Sequence, residues 1–164
     1  MKQLKPDKDF LWSHPAHLLA FGFGAGLLPR APGTWGTLVA VPIFALARLG
    51  GTPAVLAAAA LFFMVGIWAS GVAGRALGVA DHGGIVIDEI AAFLLVLACT
   101  PGTIGWWLIA FLLFRVADIV KPWPIRWADR RIKGGFGVMF DDVLAAGYAI
   151  GAILLLRSLF VSIL

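Results

Sequence analysis

Five carboxylates lie within or at the ends of long apolar stretches of this sequence. They are Asp88, Glu89, Asp118, Asp141 and Asp142. A charged side chain in hydrocarbon costs about 2.5–3.5 kcal/mol on insertion scales, so acids concentrated in apolar neighbourhoods need a shared purpose. That purpose can be an ion pathway, a structural charge network or a metal site at a membrane surface. Oxygen ligands without cysteines or a histidine cluster favour a hard cation, Mg²⁺ before Zn²⁺.

Four of these acids form two pairs of sequence neighbours, Asp88 with Glu89 and Asp141 with Asp142. For each pair there is an alternative to metal binding. Neighbouring residues on a helix point about 100° apart, so we expect Asp88 and Glu89 to face different partners. One could hold a metal while the other holds a second metal, a water or a base; a salt bridge to a basic neighbour is the alternative. For Asp141 and Asp142 the alternative is N-capping of a helix.

Cations follow the acids along the chain. Arg115, Asp118 and Lys121 are spaced i, i+3, i+6 and share a helix face, which suits either a solvated ion-pair ladder or a phosphate site. The segment 122–124 (Pro-Trp-Pro) ends this helix. Basic and aromatic residues then alternate in a loop that could hold an anionic lipid headgroup or only determine topology. They are Trp123, Arg126, Trp127, Arg130 and Arg131.

Two glycine-rich segments flank these groups. Residues 22–26 precede a predicted helix start that carries Thr34 and Thr37, and such a start can cradle a phosphate. It is not a P-loop, since no Gly-Lys-Ser/Thr follows, and glycine also simply makes loops. Residues 134–137 lead into the acid pair at 141–142 and could let it swing onto a bound headgroup, or form only a turn.

Composition points to a membrane. Of the 164 residues, 61% are hydrophobic and only 13% are charged, against about 25% charged in an ordinary soluble domain. We predict a single domain, residues 1–164, with an all-α, multi-helical integral membrane fold of about four to five membrane helices. The lone cysteine, Cys99, excludes an internal disulfide and a cysteine-based metal cluster. The predicted helices are 35–49, 53–73, 85–99, 106–120 and 143–164.

The basic residues predict an orientation. With the N-terminus inside, residues 1–34 and the loops near 74–84 and 121–141, with the adjoining helix ends, carry every Lys and Arg except Arg48 and Arg157. This asymmetry satisfies the positive-inside rule and predicts a multi-pass protein of the bacterial inner membrane. The same topology brings all five acids to the cytoplasmic face. A transport site is expected nearer the bilayer midplane, although a small transporter, an ion-conducting protein or a structural subunit stays an alternative.

Several phosphatase chemistries are excluded. Cys99 has Gly105, not arginine, six residues on, and the chain has no Asp-x-Asp-x-Thr start and no paired Arg and His motifs. For a phosphate ester substrate, what remains is metal-assisted hydrolysis.

Three blocks of the sequence resemble phosphatidylglycerophosphatase A, a family of Mg²⁺-dependent bacterial membrane enzymes. The blocks are 22–37, 81–89 and 114–142; the last includes Asp118, Asp129 and a Lys-Pro-Trp-Pro-Ile-Arg run from residue 121. The resemblance implies an all-helical fold, a metal site formed by the acids, and hydrolysis of phosphatidylglycerophosphate to phosphatidylglycerol and inorganic phosphate. Alanines at 92 and 146 replace glycines usual in the family, and both keep a small residue.

With this resemblance, each residue receives an expected role. One or two Mg²⁺ ions are held by Asp88, Glu89, Asp141 and Asp142. The catalytic residues are Asp88, Asp118 and Asp142, with Asp118 completing the metal shell or orienting the attacking water. Substrate is bound by Thr34, Thr37, Arg115, Lys121 and Arg126. We expect the membrane and a phospholipid as partners, and no nucleic acid.

Overall fold

Every secondary-structure element in the described part of the chain is a helix. The computed structural model describes residues 6–163, with side chains up to residue 159, so Lys2 and Lys5 of the topology argument and Leu164 of the last predicted helix lie outside it. The α-helices are α1 (Lys8–Ser13), α2 (Pro15–Ala20), α3 (Pro32–Ala47), α4 (Gly51–Leu77), α5 (Ile87–Ala98), α6 (Ile104–Val120), α7 (Ile125–Arg131) and α8 (Gly134–Ile163). Two 3₁₀ segments, Gly22–Leu27 and Arg48–Gly50, precede α3 and α4. The all-α prediction is confirmed.

Fewer helices can cross a membrane than the sequence led us to expect. Two helical stretches of the described residues are long and apolar enough, Pro32–Leu77 and Gly134–Leu159. Helix α5 has 12 residues and α6 has 17, which at 1.5 Å per residue gives about 18 and about 26 Å, short of a hydrocarbon core of about 30 Å. The two apolar stretches fit membrane association, but the prediction of four to five membrane helices is wrong.

Helix α5 forms the centre of the molecule. It packs against α3, α4 and α8, and Ile90 and Leu94 are completely buried. An apolar residue occupies nearly every position after its first turn, as expected of a helix that is covered on all sides. Phe93 stacks on Phe114 of α6, with 5.7 Å between the ring centroids. The acids at the start of α5 therefore lie at the end of a tightly packed helix.

Glycines allow α8 to approach α4 closely. A Cβ on Gly135 would overlap the backbone carbonyl oxygen of Ile67, and one on Gly66 would lie 2.5 Å from the Met139 side chain. The segment 134–137, expected to be a loop, is thus the first turn of α8. Because Asp141 and Asp142 lie about two turns inside the helix, the N-capping alternative for them is ruled out.

Candidate active site

Three carboxylates from two helices meet at the start of α5. Asp88 and Glu89 lie in the first turn of α5, and packing of α8 against it brings in Asp142. One carboxylate oxygen from each residue lies within 4.8 Å of the other two, and all three residues are buried. Asp88 and Glu89 both contribute to this group, and Glu89 has in addition a different partner, Arg115 of α6. The expectation that the two acids face different partners is therefore confirmed only in part. We call these three residues the carboxylate cluster.

The carboxylate cluster contains oxygens that no protein group satisfies. Oδ1 of Asp88, Oε2 of Glu89 and Oδ2 of Asp142 are buried and have no hydrogen-bond partner among the described residues. Buried charge without a partner is costly, and adjacent carboxylates repel each other. A cation at this point would remove both costs. Because every donor is a carboxylate oxygen, the cluster fits a hard divalent cation such as Mg²⁺.

Arg115 of α6 connects the cluster to two further helices. Its Nη1 lies 2.9 Å from Oδ2 of Asp118 and 3.6 Å from Oε1 of Glu89. The same nitrogen is 3.4 Å from the hydroxyl of Thr37, which is buried and donates to the Gly33 carbonyl at 2.8 Å. The structure thus brings together four of the predicted site residues, Thr37, Glu89, Arg115 and Asp118. Arg115 supplies positive charge beside acids that would otherwise repel one another.

The start of α3 touches the cluster through a glycine that sequence reasoning missed. A Cβ on Gly33 would lie 2.1 Å from Oε1 of Glu89 and 3.0 Å from Nη2 of Arg115. Only glycine therefore fits here without displacing the site. Its signal in the sequence was a Pro-Gly pair at a predicted helix start. The predicted substrate residue Thr34 is the next residue along this first turn.

The first glycine segment is not an open cradle of backbone amides. The amides of Gly24 and Gly26 both donate to the carbonyl of Phe21, so the turn itself uses them. Gly26 instead provides room, because a Cβ there would overlap the carbonyl oxygen of Gly84. The segment therefore packs against the loop that precedes α5, and the amides of Gly24 and Gly26 are already used within the turn.

Lys121 holds Asp141 apart from the carboxylate cluster. Lys121 ends α6 with a left-handed backbone (φ 46°), and its Nζ lies 2.6 Å from Oδ2 of Asp141 and 2.9 Å from Oδ1 of Asp129. Burial lowers the pKa of the Lys121 ammonium, but the bonds to both carboxylates outweigh that effect and raise it above its usual range. Asp141 is thus neutralised by a lysine. Asp129 belonged to the motif, but nothing in its spacing indicated this contact.

Arg126 lies on the surface of α7. Its Nη2 donates to the carbonyl of Val120 at 3.2 Å, and its side chain is exposed. Arg126 and Lys121 line a groove of about 480 Å³ together with two tryptophans. The predicted phosphate-binding cations therefore divide into two groups, Arg115 against the acids and the other two in this groove.

Fold and site together describe an all-helical protein with two apolar stretches that fit membrane association and a buried carboxylate cluster between α5 and α8. A family model described as phosphatidylglycerophosphatase A matches residues 18–157, which include every site residue above. The chain belongs to the phosphatidylglycerophosphatase A family.

Relatives from three bacteria match most of the chain. The phosphatidylglycerophosphatase A of Haemophilus influenzae is 44% identical over 152 residues, covering 92% of this chain and 93% of the relative. That of Escherichia coli K12 is 40% identical over 140 residues, covering 85% and 81%. A Bacteroides thetaiotaomicron protein named as a candidate phosphatidylinositol-3-phosphatase is 41% identical over 140 residues, covering 80% and 87%. No solved structure matches this chain.

Proposed function

We propose that this protein hydrolyses phosphatidylglycerophosphate to phosphatidylglycerol and inorganic phosphate, assisted by Mg²⁺, at the cytoplasmic face of the bacterial inner membrane. The carboxylate cluster is the observation that carries the proposal, because its unsatisfied buried oxygens need a cation. The substrate is inferred from two relatives whose names state this activity. The third relative is also named for an activity on a lipid phosphate.

Asp88, Glu89 and Asp142 would hold the Mg²⁺ ion. A bound cation of this kind neutralises phosphoryl oxygens and lowers the pKa of a water that attacks phosphorus. Asp141 was also predicted as a metal ligand. Because it forms an ion pair with Lys121, its role would be to position that lysine. It fixes the Lys121 ammonium in place through a 2.6 Å ion pair.

The remaining residues orient water and phosphate. Asp118 is held by Arg115 at 2.9 Å and lies beside Asp142, so it is placed to accept a proton from the attacking water. The Arg115 guanidinium adds a fixed positive charge where negative charge develops on the phosphoryl oxygens. Lys121 and Arg126 bind the phosphate from the side of the groove.

A transporter is not favoured. Asp88 and Glu89 lie in the first turn of α5, Asp118 lies in the last turn of α6, and Asp141 and Asp142 lie about two turns from the start of the 30-residue α8. None of these acids is at the middle of its helix, as a site at the bilayer midplane would require. The membrane orientation in the proposal rests on the positive-inside pattern of the sequence.

The test is phosphate release from phosphatidylglycerophosphate in detergent micelles by purified protein. We expect release with Mg²⁺, none with excess chelator, and none from Asp88→Asn in either condition. Asp9→Asn changes an exposed acid of α1 in the same way and should leave release unchanged. Release that persists in chelator would refute the role of Mg²⁺, and no release by folded protein with Mg²⁺ would refute the substrate.

A further inference from the structure

The groove beside α7 is strongly cationic. Its cavity of about 480 Å³ is lined by four cations and two tryptophans, and no acidic side chain lines it. These side chains are Lys121, Trp123, Arg126, Trp127, Arg130 and Arg131. We call this the α7 groove. Its composition predicts an anionic ligand that lies at a membrane interface, where tryptophan is enriched.

Helix geometry explains why the cations gather on one surface. Arg126 and Arg130 are four residues apart on α7, as are Trp127 and Arg131. The two members of each pair therefore lie on the same face of the helix, about 6 Å apart along its axis. The opposite face is buried through Ile125, which is completely covered. Burial of that face fixes α7 on the rest of the molecule and leaves its charged face open.

Lys121 is paired with two acids, but the arginine charge of the groove is not balanced by acids in the described part of the chain. Among the described residues, neither Arg130 nor Arg131 has an acid within ion-pair distance. The acid on the same helix, Asp129, pairs with Lys121 instead. Both arginines are exposed, so an incoming anion can reach them. An arginine pair of this kind suits a phosphate group, because guanidinium donates two parallel hydrogen bonds to it.

Lys121 connects the groove to α8, the helix that carries Asp142. Lys121 lines the groove and also contacts Asp141, the neighbour of the cluster residue Asp142. Arg130 and Arg131 lie at the other end of α7 from Arg126. For a lipid headgroup with two phosphates, this arrangement suggests one phosphate on the Lys121 side, towards α8, and the other at the end of α7.

We propose that Arg130 and Arg131 bind the phosphodiester of the lipid headgroup, the phosphate that stays in the product; this inference rests on the proposed function. The ligand is a membrane lipid and not free phosphate, because the two tryptophans of the groove are exposed where acyl chains and headgroup meet. The arrangement selects lipids that carry both a diester and a monoester. Phosphatidic acid, whose only phosphate is the monoester, leaves the arginines without a ligand.

The test is the double variant Arg130→Gln/Arg131→Gln, assayed in mixed micelles that contain Mg²⁺. Because these residues do not touch the reacting phosphate, we expect KM for phosphatidylglycerophosphate to rise about tenfold, the loss of roughly one charge-assisted hydrogen bond, with kcat unchanged. Inhibition by phosphatidylglycerol should weaken to the same extent. Arg130→Lys/Arg131→Lys should recover only part of the affinity, because lysine cannot donate two parallel bonds. Arg75→Gln, an exposed arginine outside the groove, is the matched control.

A second measurement tests the groove without turnover. Binding of phosphatidylglycerol in micelles is followed by tryptophan fluorescence, with phosphatidylcholine micelles and glycerol 3-phosphate as comparisons. Tighter binding of phosphatidylglycerol that the glutamine variant loses supports the inference, even in a protein that proves unable to hydrolyse phosphatidylglycerophosphate. The inference is overturned if the glutamine variant has an unchanged KM or a lower kcat alone. It is also overturned if glycerol 3-phosphate binds as tightly as phosphatidylglycerol, or if the variant loses equal affinity for phosphatidylglycerol and phosphatidylcholine.

Discussion

Gly33→Ala is the substitution that separates the geometry of the site from the stability of the fold. The added Cβ would lie 2.1 Å from Oε1 of Glu89, whereas real Cβ contacts are rarely closer than 3.0 Å. Glu89 must therefore move by about 1 Å, since Arg115 at 3.0 Å blocks the methyl group on another side. A displacement of about 1 Å at a reacting centre can cost about 100-fold in rate.

The free energy of unfolding should change much less. The atom that must move is the end of a flexible side chain, and overpacking of this kind costs about 1–3 kcal/mol. Alanine in a helix is better than glycine by about 0.5–1 kcal/mol, which offsets part of that cost. We therefore expect a folded protein with a displaced carboxylate cluster.

The assay is Mg²⁺-dependent phosphate release from phosphatidylglycerophosphate, with thermal unfolding in the same detergent. Gly147→Ala is the matched control, because Gly147 lies within α8 and a Cβ there meets nothing within 4 Å. We expect Gly147→Ala to keep full activity and Gly33→Ala to lose about 100-fold. Activity of Gly33→Ala within about threefold of the parent would refute the placement of Glu89 in the reacting geometry.

Two further substitutions test the two charge systems of the site. Asp142→Asn removes one carboxylate of the cluster and should lower phosphate release by about 100-fold or more, while the unfolding temperature measured in chelator does not fall; retained activity would contradict its role as a ligand. Lys121→Met leaves the buried Asp141 without a partner and should destabilise the fold by about 3–5 kcal/mol, and the added change Asp141→Asn should restore part of this in thermal unfolding. Because the pKa of Lys121 is raised on folding, its stabilisation should persist through neutral pH and decline only as pH rises above the ordinary lysine range; a decline near pH 7 in the parent that Lys121→Met lacks would contradict that assignment.

Sequence reasoning reached the helical fold because the apolar runs and their Gly and Pro boundaries are local signals. It also expected the acids to gather at one face, from the order and direction of the helices; Asp88, Glu89 and Asp142 do lie together, and their roles stay predictions. The membrane-span count failed because an apolar run can equally be a core helix. Helix α5 is covered by three other helices, and only tertiary packing reveals this.

Close contacts were beyond the reach of sequence reasoning. Gly33 and Gly135 look like loop glycines in the sequence, yet each permits a contact that any Cβ would block. Which backbone atom lies opposite a glycine depends on helix crossing, which residue spacing does not encode. For the same reason the contact between Lys121 and Asp129 could not be anticipated, because it depends on how α7 folds back after residues 122–124.

Two adjacent aspartates therefore lie in opposite electrostatic surroundings, although nothing in the sequence distinguishes them. Asp141 points to an ammonium at 2.6 Å and is neutralised. Asp142 belongs to a cluster in which one oxygen of each member is buried and has no partner. An unpaired buried carboxylate lowers stability. A protein that needed only structural charge pairs would therefore not leave Asp142 with a buried oxygen that has no partner. The unbalanced negative charge at Asp88, Glu89 and Asp142, next to the balanced pair at Asp141, is the observation that supports the proposed cation site at this end of the molecule.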